Sequence, residues 1–215
     1  MRMTAFLTAG LILALPAAGQ AQQSCQAEFR TPGKGSWVEY RMTSTEKNSS
    51  GNLRYAILGE ETREGQTMTW LEMKMSGMGE QKGEMIMQVL VPSYPFNPTG
   101  IQEMVMKVPG QPAMKMGGRM MGMMRGQMQN NPGMSVQDMC SGVEFVGNET
   151  VTVPAGTFRT RHYHSAEQNS DAWIAEDQPF GMVKASGPRF TIEMMGSGTG
   201  ATSSITETPR EMPGM

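Results

Sequence analysis

The groups with the most chemistry to offer in this chain are its thioethers. The sequence holds 25 methionines among 215 residues, and eleven of them fall in the stretch 101–139. That stretch reads Met104-x-Met106, Met114-x-Met116, Met120-Met121-x-Met123-Met124 and then Met128. Thioether sulfur is a soft donor that suits Cu(I), and a few converging sulfurs make a site. The same side chain is also an unbranched apolar filler that adapts to whatever it touches. Strand-like positions carry it too, at Met73, Met75, Met85 and Met87, so packing or ligand lining is the broader reading. A third use is sacrificial, with exposed thioethers taking up oxidant as sulfoxide.

The only two histidines are His162 and His164, within Arg161-His-Tyr-His164. On a strand they share a face about 7 Å apart, close enough to chelate one ion. No carboxylate or thiolate follows at a spacing that specifies zinc. The sharper metal expectation joins His162 and His164 to Met120, Met123 and Met124 in one copper site. Against it stands a half-exposed strand with its polar residues turned outward.

Motifs for catalysis are absent. There is no G-x-S-x-G elbow, no H-E-x-x-H helix and no phosphate loop. Gly196-Ser-Gly-Thr-Gly200 has the composition of such a loop, yet no helical pattern follows it. Asp171 and Asp177 flank a strand and fit turn caps. No enzyme activity is expected, and no cofactor unless it is copper. With 18 basic and 20 acidic residues and a net charge of −2, the chain has no basic stripe for nucleic acid.

The elements that must hold these groups follow from the ends inward. Met1–Ala21 has a secretory signal pattern: Arg2, an apolar run from Ala5 to Ala18, and a small-x-small site at Gly19-Gln20-Ala21. The run is too short to span a bilayer, and nothing later is longer. The expected location is periplasmic or secreted, with no membrane span. Two cysteines, Cys25 and Cys140, then favour one disulfide in an oxidising compartment. It would tie the processed N-terminus to the far end of the methionine-rich stretch.

Period-two alternation predicts strands over 36–45, 53–59, 67–75 and 85–91, forming a four-stranded antiparallel meander. In the third, Leu71, Met73 and Met75 share one face, with Glu72 and Lys74 on the other. Pro92, Pro95 and Pro98 stop it. The run 101–107 fits a short helix or a strand, and Gly117–Met128 fits a weak helix striped with glycine. Six further short strands are expected, at 143–146, 149–153, 157–165, 171–175, 182–185 and 189–195, with a seventh at 202–206. Residues 209–215 read as a loose tail. The expectation is a single mainly β domain over 22–208: a curved antiparallel sheet or open half-barrel of about ten strands. The insertion 101–139 would form its partly helical lid.

Val153-Pro-Ala-Gly-Thr-Phe158, Asp171-Ala-Trp-Ile174 and Pro179-Phe-Gly-Met-Val-Lys184 resemble the second half of certain exported bacterial domains of unknown function. Those domains are similar in layout to the periplasmic lipoprotein-carrier fold, a half-barrel whose concave face is covered by helices and takes up acyl chains. The resemblance covers roughly the last third of the chain and implies a carrier-like sheet. Here a methionine-rich segment stands where leucine-type lid helices are expected. The leading functional expectation is therefore an exported, non-enzymatic protein holding a lipid, acyl group or other hydrophobic partner. Its ligand-facing residues would be Met104, Met106, Met116, Met120, Met124 and Met128, with Trp70 and Trp173 as walls. The alternative is a copper-binding protein of the cell envelope.

Overall fold

Apolar–polar alternation turns most of the chain into one sheet. A computed structural model describes residues 17–46, 48–77, 83–92, 94, 100–118, 120–123 and 140–212. Helix α1, Ala17–Glu28, spans the expected processing site and is followed by β1, Trp37–Ser44. The meander continues with β2 (Ser49–Arg63), β3 (Gln66–Ser76) and β4 (Glu84–Val91). Next come β5 (Glu103–Lys107) and β6 (Met114–Lys115). After residue 140 run β7 (Val143–Val153), β8 (Gly156–Ser165), β9 (Ser170–Ile174), β10 (Met182–Gly187) and β11 (Phe190–Gly198). The last strand is β12, Arg210–Glu211.

The sheet has the order β12-β6-β5-β4-β3-β2-β1-β11-β10-β9-β8-β7. Every pairing is antiparallel except β12 against β6. Between β2 and β3 the two-residue turn is Glu64-Gly65, both with positive φ (51° and 78°). That is the hairpin turn whose twist matches the strands, and glycine enters it without strain. The sheet is open and strongly curved. Ala155, at the tip of the β7–β8 hairpin, donates its N–H to the Met194 carbonyl on β11 at 3.1 Å.

Curvature gives the sheet an inner face with one large apolar cluster. It contains Val38, Tyr40, Ile57, Leu71, Val89, Met104, Phe180, Val183 and Met194, and Val153 from the curled hairpin. Toward β7–β9, α1 closes the same face with a second cluster of Cys25, Phe29, Cys140, Val143, Tyr163 and Ile174. Cys25 and Cys140 are bonded, as expected for an oxidising compartment. The outer face of β4–β5 carries a third cluster, Ile86 and Val105 with Ala113 and Ile205.

The fold class holds, with twelve strands among the described residues in place of about ten. Several boundaries differ for a common reason: backbone pairing continues wherever a neighbour offers free N–H and C=O groups. Thus β2 runs through residues expected to turn, and 143–153 is one strand carrying a bulge between Phe145 and Gly147. Within 101–107, Glu103–Lys107 resolves as a strand because β4 offers it an edge, so the first part of the expected lid belongs to the sheet. Residues 202–206 form no strand. They cross the outer face, and part of the expected tail, Arg210–Glu211, pairs with Met114–Lys115.

Candidate functional site

The thioether-lined part of the inner face is built by β3, β4, β5 and the residues after β6. Alternation on β5 sends Met104 and Met106 inward and Glu103 and Val105 outward. Met104 is fully buried, and Met87, Met106 and Met116 are partly buried and pack against its cluster. Met116 also donates its N–H to the Met104 carbonyl at 2.9 Å. Beyond it Gly118 and Met120–Met123 are helical, with Met121 N–H bonded to the Gly117 carbonyl at 3.0 Å. From this turn Met121 inserts into the inner cluster and is 4 % exposed, whereas Met123 is 64 % exposed. Met73, Met182 and Met194 join the same cluster.

An aromatic group supports this lining from beside it. Tyr55 packs on Tyr40 at 6.3 Å and on Phe180 at 6.1 Å, and Tyr94 meets Phe180 edge-on at 5.1 Å. Burial pushes the phenols of Tyr40, Tyr55 and Tyr94 above their usual range. The Tyr40 hydroxyl donates to the Met182 carbonyl at 2.9 Å. Phe180 holds φ at 65°, an uncommon conformation for a bulky residue that the ring packing compensates.

Of the expected ligand-facing residues, Met104, Met106 and Met116 come together, and Met120 is half-buried beside the plug formed by Met121. Met124 and Met128 lie outside the described residues. Neither tryptophan lines this methionine face. Trp70 alternates with inward Leu71, so it faces outward and donates its indole N–H to Glu61 at 3.0 Å. Trp173 is likewise on the outer face.

The histidines form a separate outer-face group, and it is more elaborate than the sequence indicated. The β8–β9–β10–β11 register sets His162, Trp173, Lys184 and Glu193 in one row. His162 stacks on Trp173 with ring centroids 4.6 Å apart, and the Lys184 ammonium lies 5.4 Å from the indole centroid. Asp171 Oδ1 sits between His162 Nε2 (2.8 Å) and His164 Nδ1 (3.0 Å). Glu149 takes the other side, 2.8 Å from His162 Nδ1 and accepting the Trp173 indole N–H at 2.9 Å. A neutral imidazole has one N–H, so only the doubly protonated ring of His162 donates to both acids. Burial opposes ionisation of Asp171, but the hydrogen bonds from His162 and His164 outweigh it and hold its carboxyl below the usual range. The Trp173 and His162 hydrogen bonds do the same for Glu149.

Of the expected His–Met copper set, the histidines lie on the outer face, where three of their four ring nitrogens meet acids. Met120 and Met123 lie on the turn after β6, and Met124 is outside the described residues. Strand alternation sets the outward placement: Tyr163, between the histidines, belongs to the inner side and the histidines to the outer. Among the described residues no group of three or more His, Cys, Asp or Glu is arranged to hold a metal. No described helix is long and apolar enough to cross a membrane.

Sequence reasoning missed Glu149 and gave Asp171 only a turn role. The i, i+2 histidine pair was visible, but its acid partners are set by strand register. A buried acid at the end of α1 was also missed. Glu28 pairs with Arg161 at 2.7 Å, and its second carboxylate oxygen has no hydrogen-bond partner among the described residues. Burial raises its pKa despite Arg161. It borders a cleft of about 600 Å³ with Arg159, Arg161, Glu176 and Asp177.

No protein-family model matches the chain, and no curated protein matches it. Two solved structures show a distant likeness. One, from Bacteroides fragilis, is a protein inferred to be exported, with a YmcC-like fold. It shares 12 % identity over 80 % of this chain and 99 % of its own, with a TM-score of 0.37. The other, inferred to be a lipoprotein, is from Parabacteroides distasonis, with 11 % identity over 79 % of this chain and 98 % of its own, and a TM-score of 0.36. Likenesses of that extent do not say what this chain binds.

Proposed function

We propose that this is an exported, non-enzymatic binding protein that takes an apolar guest, a lipid or acyl chain, along the methionine-lined inner face. The observation that carries the reading is the position of Met121. It joins the cluster of Met104, against which Met106 and Met116 pack, from the helical residues Met120–Met123, and a Cβ at Gly117, Gly118 or Gly122 would meet nothing within 4 Å. Among the described residues of this turn Met121 is the buried thioether, and the glycine positions around it are bare. Withdrawing such a side chain costs about 2–3 kcal/mol of apolar burial, which a guest covering similar area offsets. Thioethers then reshape around the guest at low conformational cost. The disulfide fits an exported protein.

Titration with a fluorescent fatty acid, paired with native mass spectrometry of the purified protein, tests this. One saturable site is expected, with Met121→Ala tightening binding by removing the competing plug and Met116→Glu weakening it about tenfold or more. Absence of both fatty-acid binding and co-purified lipid would overturn the proposal. The same four thioethers also favour the copper reading. One Cu(I) retained by the wild type and lost in Met104→Leu/Met106→Leu, without lipid, would select it.

A further inference from the structure

Glu28 is the last residue of α1. Cys25, one turn before it, is bonded to Cys140, and Phe29, next in the chain, sits in the same buried cluster, so the helix end is fixed. The chain also passes closely at Gly181, where a Cβ would stand 3.3 Å from the Glu28 carbonyl. The Glu28 side chain is 6 % exposed. One carboxylate oxygen accepts from the Arg161 guanidinium at 2.7 Å, and the other has no hydrogen-bond partner among the described residues. A buried carboxylate oxygen without a hydrogen bond carries a cost that an N–H donor removes. The cleft of about 600 Å³ that Glu28 borders is also lined by Arg159, from β8, and Asp177, from the turn after β9. Both are exposed, and among the described residues neither has an ion-pair partner. The remaining acids of the cleft are engaged: Glu176 pairs with Arg30, and Glu149 meets His162 and Trp173. No group of three or more His, Cys, Asp or Glu among the described residues is arranged to hold a metal, which favours an organic cation over a metal ion.

We propose that this cleft binds a small zwitterion, its primary ammonium donating to Glu28 and Asp177 and its anionic group meeting Arg159. A primary ammonium has three N–H donors and so serves more than one carboxylate oxygen. Charge-assisted bonds of this kind are stronger than neutral ones, most of all away from bulk water. Arg161, the partner of Glu28, has a side chain 46 % exposed, so its guanidinium can turn toward solvent as the ammonium enters. The unpaired base at Arg159 selects a ligand that carries an anion as well, since a bare cation would be repelled there. None of the residues lining the cleft belongs to the methionine cluster, so this site stands or falls separately from the apolar guest.

Calorimetric titration of the full chain with phosphoethanolamine is the test. Saturable binding is expected, with ethanolamine, inorganic phosphate and phosphocholine each weaker by about tenfold or more. Those three lack, in turn, the anion, the ammonium and the ammonium's N–H donors. Glu28→Gln should weaken phosphoethanolamine about tenfold or more, and so should Asp177→Asn and Arg159→Gln. The last two replace exposed side chains, and unchanged circular dichroism in them would separate lost binding from lost fold. Short-chain phosphatidylethanolamine, titrated with and without free phosphoethanolamine, tells the two sources of this chemistry apart. Competition would extend the site to a lipid headgroup, and binding of the free solute alone would assign it to a soluble ligand. No heat of binding up to about 10 mM phosphoethanolamine would overturn the proposal. So would phosphocholine binding equally well, or an affinity indifferent to all three substitutions.

Discussion

Ser204 donates both its backbone N–H and its hydroxyl to the Glu72 carboxylate, each at 2.8 Å, across 132 positions of sequence. Glu72 lies on β3, has no solvent exposure, and also accepts from Gln88 Nε2 at 2.7 Å. The segment after β11 therefore completes the outer face by satisfying a buried acid and seating Ile205 on Ile86 and Val105. Removing the Ser204 hydroxyl leaves a buried acceptor under-bonded. Ser204→Ala is expected to cost about 1–3 kcal/mol in urea unfolding, and Glu72→Ala more, because several donors lose their partner together. Wild-type stability in Ser204→Ala would show that the contact is dispensable.

Acid sensitivity should come from the outer-face group. Folding depresses the carboxyls of Asp171 and Glu149. Their stabilisation is therefore complete above the unfolded values, near 4, and disappears as pH falls through the lower folded values. Glu28 runs the other way: burial raises its pKa, so it favours the folded state below the unfolded value, and that contribution fades as pH rises through the folded one. Denaturation midpoints measured at pH values below about 5 should decline less steeply in Asp171→Asn than in wild type. Superimposable acid limbs would count against the network.

The disulfide joins α1 to the start of the β7 arm over a separation of 115 residues, and both cysteines are buried. A loop of that length corresponds to about 4–5 kcal/mol in the chain-entropy account. Reduction, or Cys25→Ser with Cys140→Ser, should lower the unfolding free energy by an amount of that order. A loss below about 1 kcal/mol would mean that the reduced chain is already held in place by the α1 packing.

Peroxide should read the seating of the methionine turn. Met123 is exposed, whereas Met104 and Met121 are buried, so peptide mapping is expected to find Met123 sulfoxide well before the other two. An added fatty acid that displaces the plug would leave Met104 protected and accelerate Met121. Equal rates at all three in the apo protein would contradict the packed inner face.

Alternation alone placed Leu71 and Met73 on one side of β3 and Glu72 on the other, and both sides are as the spacing implies. What covers Glu72 was not legible, because 202–206 reads as well for a strand as for the strap it is. Tertiary partners decided between them. For Ile101–Lys107 the local pattern allowed helix or strand, and the free edge of β4 chose. The candidate site divides the same way: Met104 and Met106 share a face by spacing, while Met121 reaches them through a chain reversal that no local signal encodes.

By itself the sequence determined the mainly β class, the single disulfide and the pairing of His162 with His164 on one face. These depend on period-two geometry and on cysteine number, which are local or countable. The tertiary structure alone decided that Asp171 stands between those histidines, that Trp70 and Trp173 face away from the methionines, and that β7 comes last in the sheet order. The two facts about the histidines and the tryptophans depend on strand register, and the place of β7 at the end of the sheet depends on sheet order. Both are set by which distant segments pair, and the energies that choose them arise only when the chain closes on itself.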